Sequence, residues 1–355
     1  MFPVLKKLSR TIMNSRKRIQ FIVNPISGTH GKEFILHLIN KYINRDLYDY
    51  AICKTEYAGH ASELAQKAVS EKIDIVVAIG GDGTINEIGR SLIQTDTAMG
   101  IIPCGSGNGL ARHLHIPMLP YRAIETINQG FIKDIDYGII DQHPFFCTCG
   151  VGFDAFVSLK FADSGKRGLL TYLENALHES LTYQPETYEI ENSSGTVRYK
   201  AFLIACANAS QYGNNAYIAP QASLTDGMMD ITILEPFTMI DVPALSFQLF
   251  NKTIDQNSHI KTLKEKKITI HRHHEGVFHF DGDPMMGGKD LTVEVIHKGL
   301  KVIAPEKGRS YPEPFSVLQH FTDFIGTRPL TSTIAEKHRK LLKLNQNLLR
   351  RLAKR

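Results

Sequence analysis

Cysteine is scarce in this chain, five in 355 residues, and no two are spaced CxxC. A sparse, odd set argues against a disulfide framework or a zinc cage. Cys147 and Cys149, in FFCTCG, are expected as reduced residues of a strand. No apolar run approaches the roughly 18 residues that cross a bilayer. Residues 1–20 also lack the apolar centre of a signal peptide, so a cytoplasmic location is expected. Internal repeats and low-complexity segments are missing as well. Acid is absent where base is concentrated: residues 1–20 carry six Lys/Arg and no Asp/Glu, and residues 335–355 carry eight Lys/Arg against Glu336 alone. The net charge is +5, so the body between these ends is acidic.

The length suits two domains, and 43% hydrophobic with 22% charged residues is a soluble globular profile. Basic ends point to nucleic acid or an anionic membrane surface. In the tail, His338, Leu341, Leu342, Asn345, Leu348, Leu349 and Leu352 recur at helical intervals opposite lysines and arginines. That pattern predicts a basic amphipathic helix lying peripherally on an anionic membrane rather than on nucleic acid. Docking on its own protein, or on a second copy in a homodimer, is the competing reading.

From Arg18 onward strand and helix alternate. IQFIVN, YDYAICKT, IDIVVAIGG and MGIIPCG read as strands, separated by helical spacing at 30–43, 58–70 and 84–93, with a further helix starting near Asn108. This predicts a parallel sheet covered by helices, with ligands at the carboxyl ends of its strands. After about Asp136 short β-rich runs separated by turn residues predict a second, mainly antiparallel domain, with helical character near 168–181 and 238–251.

Three strand ends carry glycine-containing turns: Asn24-Pro25-Ile26-Ser27-Gly28, Gly80-Gly81-Asp82-Gly83-Thr84 and Gly105-Ser106-Gly107-Asn108-Gly109. Such turns let backbone N–H groups approach phosphate oxygens, and the following helix offers its positive end. An acid inside an anion site repels phosphate unless it engages Mg²⁺ or takes a proton from an acceptor hydroxyl, which makes Asp82 the most informative residue. Taken alone, the same turn also serves as a helix cap. Two nucleotide motifs do not apply. GTHGKE lacks Walker A spacing and the hydroxyl after Lys32, and GSGNGL lacks the full dinucleotide fingerprint. In HRHHEGVFH, strand alternation separates His274 from His271 and His273, so the histidines read as solvated rather than metal-binding.

NPISG, GGDGTINE and IPCGSGNGLAR, followed by GVGFDA, IAPQASLTDGMMDI and FDGDP, resemble in order and spacing the diacylglycerol kinase catalytic domain family, which includes bacterial lipid kinases, sphingosine kinases and ceramide kinases. The resemblance covers about 20–305. It implies a Rossmann-like lobe with a parallel sheet (20–136), a lipid-binding β-sandwich lobe (137–305) and ATP in the cleft between them, with residues 1–19 a basic segment and 306–355 an extension.

The resemblance further implies an ATP-dependent lipid kinase. Asn24, Pro25, Ser27, Gly28 and Thr55 would line the nucleotide phosphates. Gly80, Gly81, Asp82, Gly83, Thr84 and Glu87 would form the ATP–Mg²⁺ site, joined by Ser106 and Asn108. Asp226, with the carbonyls of Ser223 and Met228, would hold a structural Mg²⁺, an oxygen set that suits this ion. Many members read DGE where this chain has Asp281-Gly282-Asp283. The catalytic candidates are therefore Asp82, Asp281 and Asp283, and either Asp82 or Asp283 would be the base. Read without the family, Asp-Gly is a hairpin turn. The acceptor would be a lipid such as diacylglycerol, ceramide or a sphingoid base. Ser158, standing where sphingosine kinases carry an acid, leans toward an uncharged one, although GSGN is closer to the sphingosine and ceramide branch. An NAD kinase-like phosphotransferase sharing the GGDGT loop is the alternative, and a non-catalytic binding protein a third reading.

Overall fold

The computed structural model describes residues 16–27, 32–164 and 183–306. Gly28, residues 1–15 of the basic N-terminal segment, the helix expected near 168–181 and the basic tail lie outside the described residues, while residues 17–19 of that segment open the first strand. The elements of the N-terminal lobe follow the predicted alternation: β1 (Lys17–Val23), α1 (Lys32–Tyr42), β2 (Tyr48–Lys54), α2 (His60–Ser70), β3 (Ile75–Gly80), α3 (Asp82–Leu92), β4 (Ala98–Pro103), α4 (Gly109–His113) and α5 (Pro120–Gln129). β3 and β4 are buried at every residue, as their unbroken apolar sequences require of strands covered on both faces. Strands β2-β1-β3-β4 run parallel in that order.

The second half begins with β5 (Ile132–Ile140), β6 (His143–Phe145), β7 (Thr148–Gly152) and α6 (Phe153–Ser164). It continues through β8 (Glu186–Asn192), β9 (Gly195–Ala201), β10 (Leu203–Ala207), β11 (Met229–Leu234) and α7 (Val242–Phe250). It closes with β12 (Ile260–Glu265), β13 (Lys267–Arg272), β14 (Gly276–Phe280), β15 (Asp283–Gly287) and β16 (Asp290–Ile303). An antiparallel sheet of order β12-β11-β10-β7-β14-β15 packs on the antiparallel strands β16-β13-β8-β9. Val151, Ile204, Ile231 and Phe278 from the first layer meet Ile190, Ile270 and Val293 from the second in one buried core. The fold is thus an α/β lobe with parallel strands plus an antiparallel β-sandwich.

The two lobes share a sheet. β16 pairs in parallel with β4 at Val302↔Met99 and antiparallel with β5 and β13, so the last described strand carries the α/β sheet into the sandwich. Between Ile296 and Leu300 the β5–β16 register shifts, and Lys298 turns to φ 54°. Asp136 on β5 holds this bulge. Fully buried, its carboxylate accepts the N–H of Lys298 at 2.7 Å and of Gly227 at 2.7 Å and pairs with His297 Nδ1 at 2.8 Å. Among the described residues no helix is long and apolar enough to cross a membrane.

Asp136→Asn replaces one acceptor oxygen by an NH₂ group that opposes a buried N–H. It should lower the unfolding free energy by roughly 1–3 kcal/mol in urea titrations.

Candidate active site

The three glycine turns meet at the carboxyl ends of β1, β3 and β4. Asn24 follows the last residue of β1, and its N–H continues the ladder to Ile79 O. Its Oδ1 accepts Ile26 N–H at 3.1 Å, its carbonyl accepts Ser27 Oγ at 3.0 Å, and its Nδ2 donates to Thr84 Oγ1 at 3.1 Å. Pro25 is exposed on this turn. Thr55 lies alongside, buried, donating its N–H to Val23 O at 2.9 Å.

The second and third turns are fastened by Asp82. Its Oδ2 accepts Asn108 N–H and its Oδ1 accepts Gly109 N–H, both at 2.8 Å. Burial raises the Asp82 pKa, while the two N–H groups and the Arg112 charge pull it down. Asn108, at φ 51°, braces its own loop by accepting Gly105 N–H at 3.0 Å and donating to Gly105 O at 2.7 Å. The loops touch glycine to glycine. A Cβ on Gly105 would stand 2.7 Å from Gly81 Cα, one on Gly107 would stand 2.7 Å from Asp82 Oδ2, and one on Gly80 would overlap the Thr84 side chain at 2.5 Å. A Cβ on Gly83 would meet nothing within 4 Å, so this glycine at the start of α3 faces open space. Ser106 is exposed on the third loop.

Two charged side chains beside these loops each have a buried atom with no hydrogen-bond partner among the described residues. Lys32, known to the sequence only as a lysine that fails the Walker pattern, is buried with Nζ unbonded. It lies against the Cys104 thiol, whose pKa burial raises and the ammonium lowers. Glu87 Oε1 on α3 is likewise buried and unbonded. A buried unpaired charge is costly. A cation and an anion left unpaired beside loops with free helix-end N–H groups suit a phosphate chain carrying Mg²⁺, so the residues fit such a group.

Asp281 and Gly282, at φ 53° and 88°, form a two-residue hairpin turn between β14 and β15. The Asp281 carboxylate does not point outward. It accepts the N–H groups of Phe146 at 2.8 Å, Cys147 at 2.7 Å and Thr148 at 3.2 Å, and burial pushes its pKa up to about 6 against those bonds. A Cβ on Gly109 would stand 3.3 Å from the Cys147 sulfur, so the residue whose N–H Asp281 accepts brings the hairpin next to the third glycine loop. Cys149 faces Cys206 across β7 and β10, both unoxidised. Asp283 is exposed at the start of β15 and pairs with Arg90 Nη1 at 3.1 Å. Arg90 was not a candidate from sequence. It stands eight residues after Asp82, about 12 Å of helix rise along α3, and nothing in its spacing marks it.

The turn before β11 is separate from these loops. Asp226 accepts Met228 N–H at 3.1 Å through Oδ1 and pairs through Oδ2 with Lys264 Nζ at 2.9 Å. Lys264 also reaches Asp230, its cross-strand partner, at 3.2 Å. Ser223 turns its hydroxyl to Thr225. The one carboxylate expected to hold a structural Mg²⁺ is already spent on an ammonium, so this arrangement does not fit a divalent ion. Among the described residues no three His, Cys, Asp or Glu side chains cluster for a metal. His271 lies between Asp290 at 2.7 Å and Glu191 at 3.2 Å, and the Asp290 bond raises its pKa. Asp154, of GFDA, is sealed against His279 Nε2 at 3.0 Å and Tyr212 Oη at 3.3 Å, and Ser158 donates to the Asp154 carbonyl.

Two family models match this framework in sequence order: Diacylglycerol kinase catalytic domain over residues 18–140, and YegS C-terminal NAD kinase beta sandwich-like domain over 147–304. A Bacillus subtilis protein named Diacylglycerol kinase is 25% identical over 299 residues, covering 82% of this chain and 97% of its own. A Salmonella typhimurium protein named "Probable lipid kinase YegS" is 28% identical over 254 residues, covering 70% and 83%. A crystal structure of a diacylglycerol kinase from Bacillus anthracis superposes with a TM-score of 0.64 at 20% identity, covering 81% and 97%, a likeness of fold. The chain belongs to the diacylglycerol kinase catalytic domain family.

Asp281 has a raised folded pKa, so its contribution to stability is full below the ordinary carboxylate value of about 4 and is lost as pH rises through about 6. Asp281→Asn cannot titrate. Between pH 4 and 7 the wild type should therefore lose roughly 1–3 kcal/mol relative to the variant in urea unfolding. At Asp226, millimolar Mg²⁺ without nucleotide should leave the wild-type melting temperature unchanged and raise that of Lys264→Met.

Proposed function

We propose that the protein is a lipid kinase that transfers the γ-phosphoryl group of ATP to a hydroxyl of an uncharged lipid. The observation that carries this reading is the junction of the glycine turns, the second and third clamped by Asp82 and the first tied to Thr84 by Asn24, beside a Lys32 ammonium with no hydrogen-bond partner among the described residues. Membership of the family and the names of its relatives support the lipid as acceptor.

Lys32 and the open N–H groups at Gly83 and Thr84 would take the phosphate oxygens, with Asn24, Ser27, Thr55, Ser106 and Asn108 shaping the loops around them. Mg²⁺ bound with the nucleotide, from the side of Glu87 and Asp82, would neutralise phosphate charge. Both Asp82 oxygens already accept backbone N–H groups, whereas Asp283 is exposed and bonded through Oδ2 alone. That contrast favours Asp283 as the proton acceptor and Asp82 as the clamp that also faces the cation. The sealed Asp154 and the buried Ser158 leave no free acid near GFDA among the described residues to receive an amine, which supports an uncharged acceptor.

Labelled ATP offered with diacylglycerol, ceramide, a sphingoid base and NAD tests the reading. Transfer to diacylglycerol or ceramide is expected, and transfer to NAD alone would replace the proposal with an NAD kinase. Asp283→Asn should lower kcat roughly 10²–10⁴-fold with the KM for ATP nearly unchanged. Lys32→Met should instead raise the KM for ATP about 10-fold or more, the loss of one charge-assisted phosphate bond.

A further inference from the structure

Arg90, on the last turn of α3, is only partly spent. Its guanidinium lies over the Phe280 ring, 4.7 Å from the centroid. Nε donates to the Pro144 carbonyl at 3.1 Å and Nη1 to Asp283 Oδ2 at 3.1 Å. Nη2 is buried with no partner. Arg272, also buried at the base of the β14–β15 hairpin, shows what a purely structural arginine does in this chain. Its Nε, Nη1 and Nη2 all donate to backbone carbonyls, those of Gly288, Val277, Gly276 and Gly287. Arg90 keeps a donor in reserve where Arg272 keeps none.

Asp283 has the matching feature. Its side chain is 55% exposed, Arg90 engages only Oδ2, and Oδ1 has no partner among the described residues. One ion pair therefore carries both an unused donor and an unused acceptor. The fitting ligand gives a hydroxyl proton to Asp283 and receives an N–H from Arg90 at a neighbouring oxygen. A hydroxyl beside an ester or amide carbonyl meets both demands. An ammonium head offers the guanidinium a like charge where the neutral lipid offers a carbonyl acceptor. Met285 shares a strand face with Asp283, and both Met285 and Met286 are exposed, flexible thioethers able to lie along acyl chains.

We propose that Arg90 is an acceptor-recognition residue: paired with Asp283, it reads the hydroxyl–carbonyl head of a neutral lipid and disfavours cationic sphingoid bases. This rests on the lipid-kinase reading above and adds to it the group that selects the acceptor.

The test measures ATP-dependent phosphorylation of 1,2-dioctanoylglycerol and of sphingosine in mixed micelles by the full-length protein, Arg90→Gln and Arg90→Lys. Arg90→Gln should raise the KM for dioctanoylglycerol roughly 10- to 100-fold, with the KM for ATP changed less than about 3-fold. It should also lower the dioctanoylglycerol-to-sphingosine ratio of kcat/KM. Arg90→Lys keeps the charge, so it should lose KM for dioctanoylglycerol while still discriminating against sphingosine. The ratio is internal to each preparation and does not depend on the folded fraction. An active wild type whose two variants keep its acceptor KM and ratio, whatever their melting temperatures, overturns the role of Arg90 alone. A KM effect confined to ATP does the same. A wild type inert toward every lipid overturns the lipid-kinase reading and this inference with it.

Discussion

The two hydrogen bonds from Asn108 and Gly109 to the Asp82 carboxylate set the geometry on which the N-terminal lobe depends. They bring the end of β3 and the end of β4 into van der Waals contact, and glycine at 81, 105 and 107 follows because nothing larger fits. They also spend a negative charge inside the loops, beside which the Lys32 ammonium lies against the Cys104 thiol. An anion site built around a carboxylate is coherent only on these terms, with the acid neutralised by backbone donors.

α3 transmits that geometry to the second lobe. Its first turn enters the Asp82 clamp. On its last turn Gly89 lets the Phe146 ring approach so closely that a Cβ would lie 2.7 Å from it, and Arg90 reaches Pro144 and Asp283. Phe146 is in turn held by Asp281 through its N–H. The glycine turns and the Asp-Gly hairpin, separated by almost 200 residues of sequence, are thereby referred to one eleven-residue helix.

Much of this was legible in the sequence. The unbroken apolar run of β3 and the alternation around it announced a parallel sheet, and the Asp-Gly pair announced the hairpin turn. The purpose of the glycines was legible only in part. Spacing suggested room for phosphate, yet Gly80, Gly81, Gly105 and Gly107 make room for the protein's own atoms, and only Gly83 opens outward. Lys32, Arg90 and Lys264 escaped notice because their importance lies in burial or in cross-strand register. Neither is a property of local pattern: a lysine at a helix start reads the same whether its ammonium meets water or a closed loop. The joining of the lobes was equally hidden, since a two-residue period says that β16 is a strand but not which strands it lies between.

That joining bears on how the chain comes to exist. Met99 on β4 meets its neighbour Val302 only after some 200 further residues have been made. During synthesis the open edge of β4 emerges long before the strand that covers it, so the α/β half leaves the ribosome with an unpaired, wholly apolar edge. Closing a loop of that length is also slow relative to local hairpins. The nascent chain thus passes through an interval in which this apolar edge waits for its last described strand.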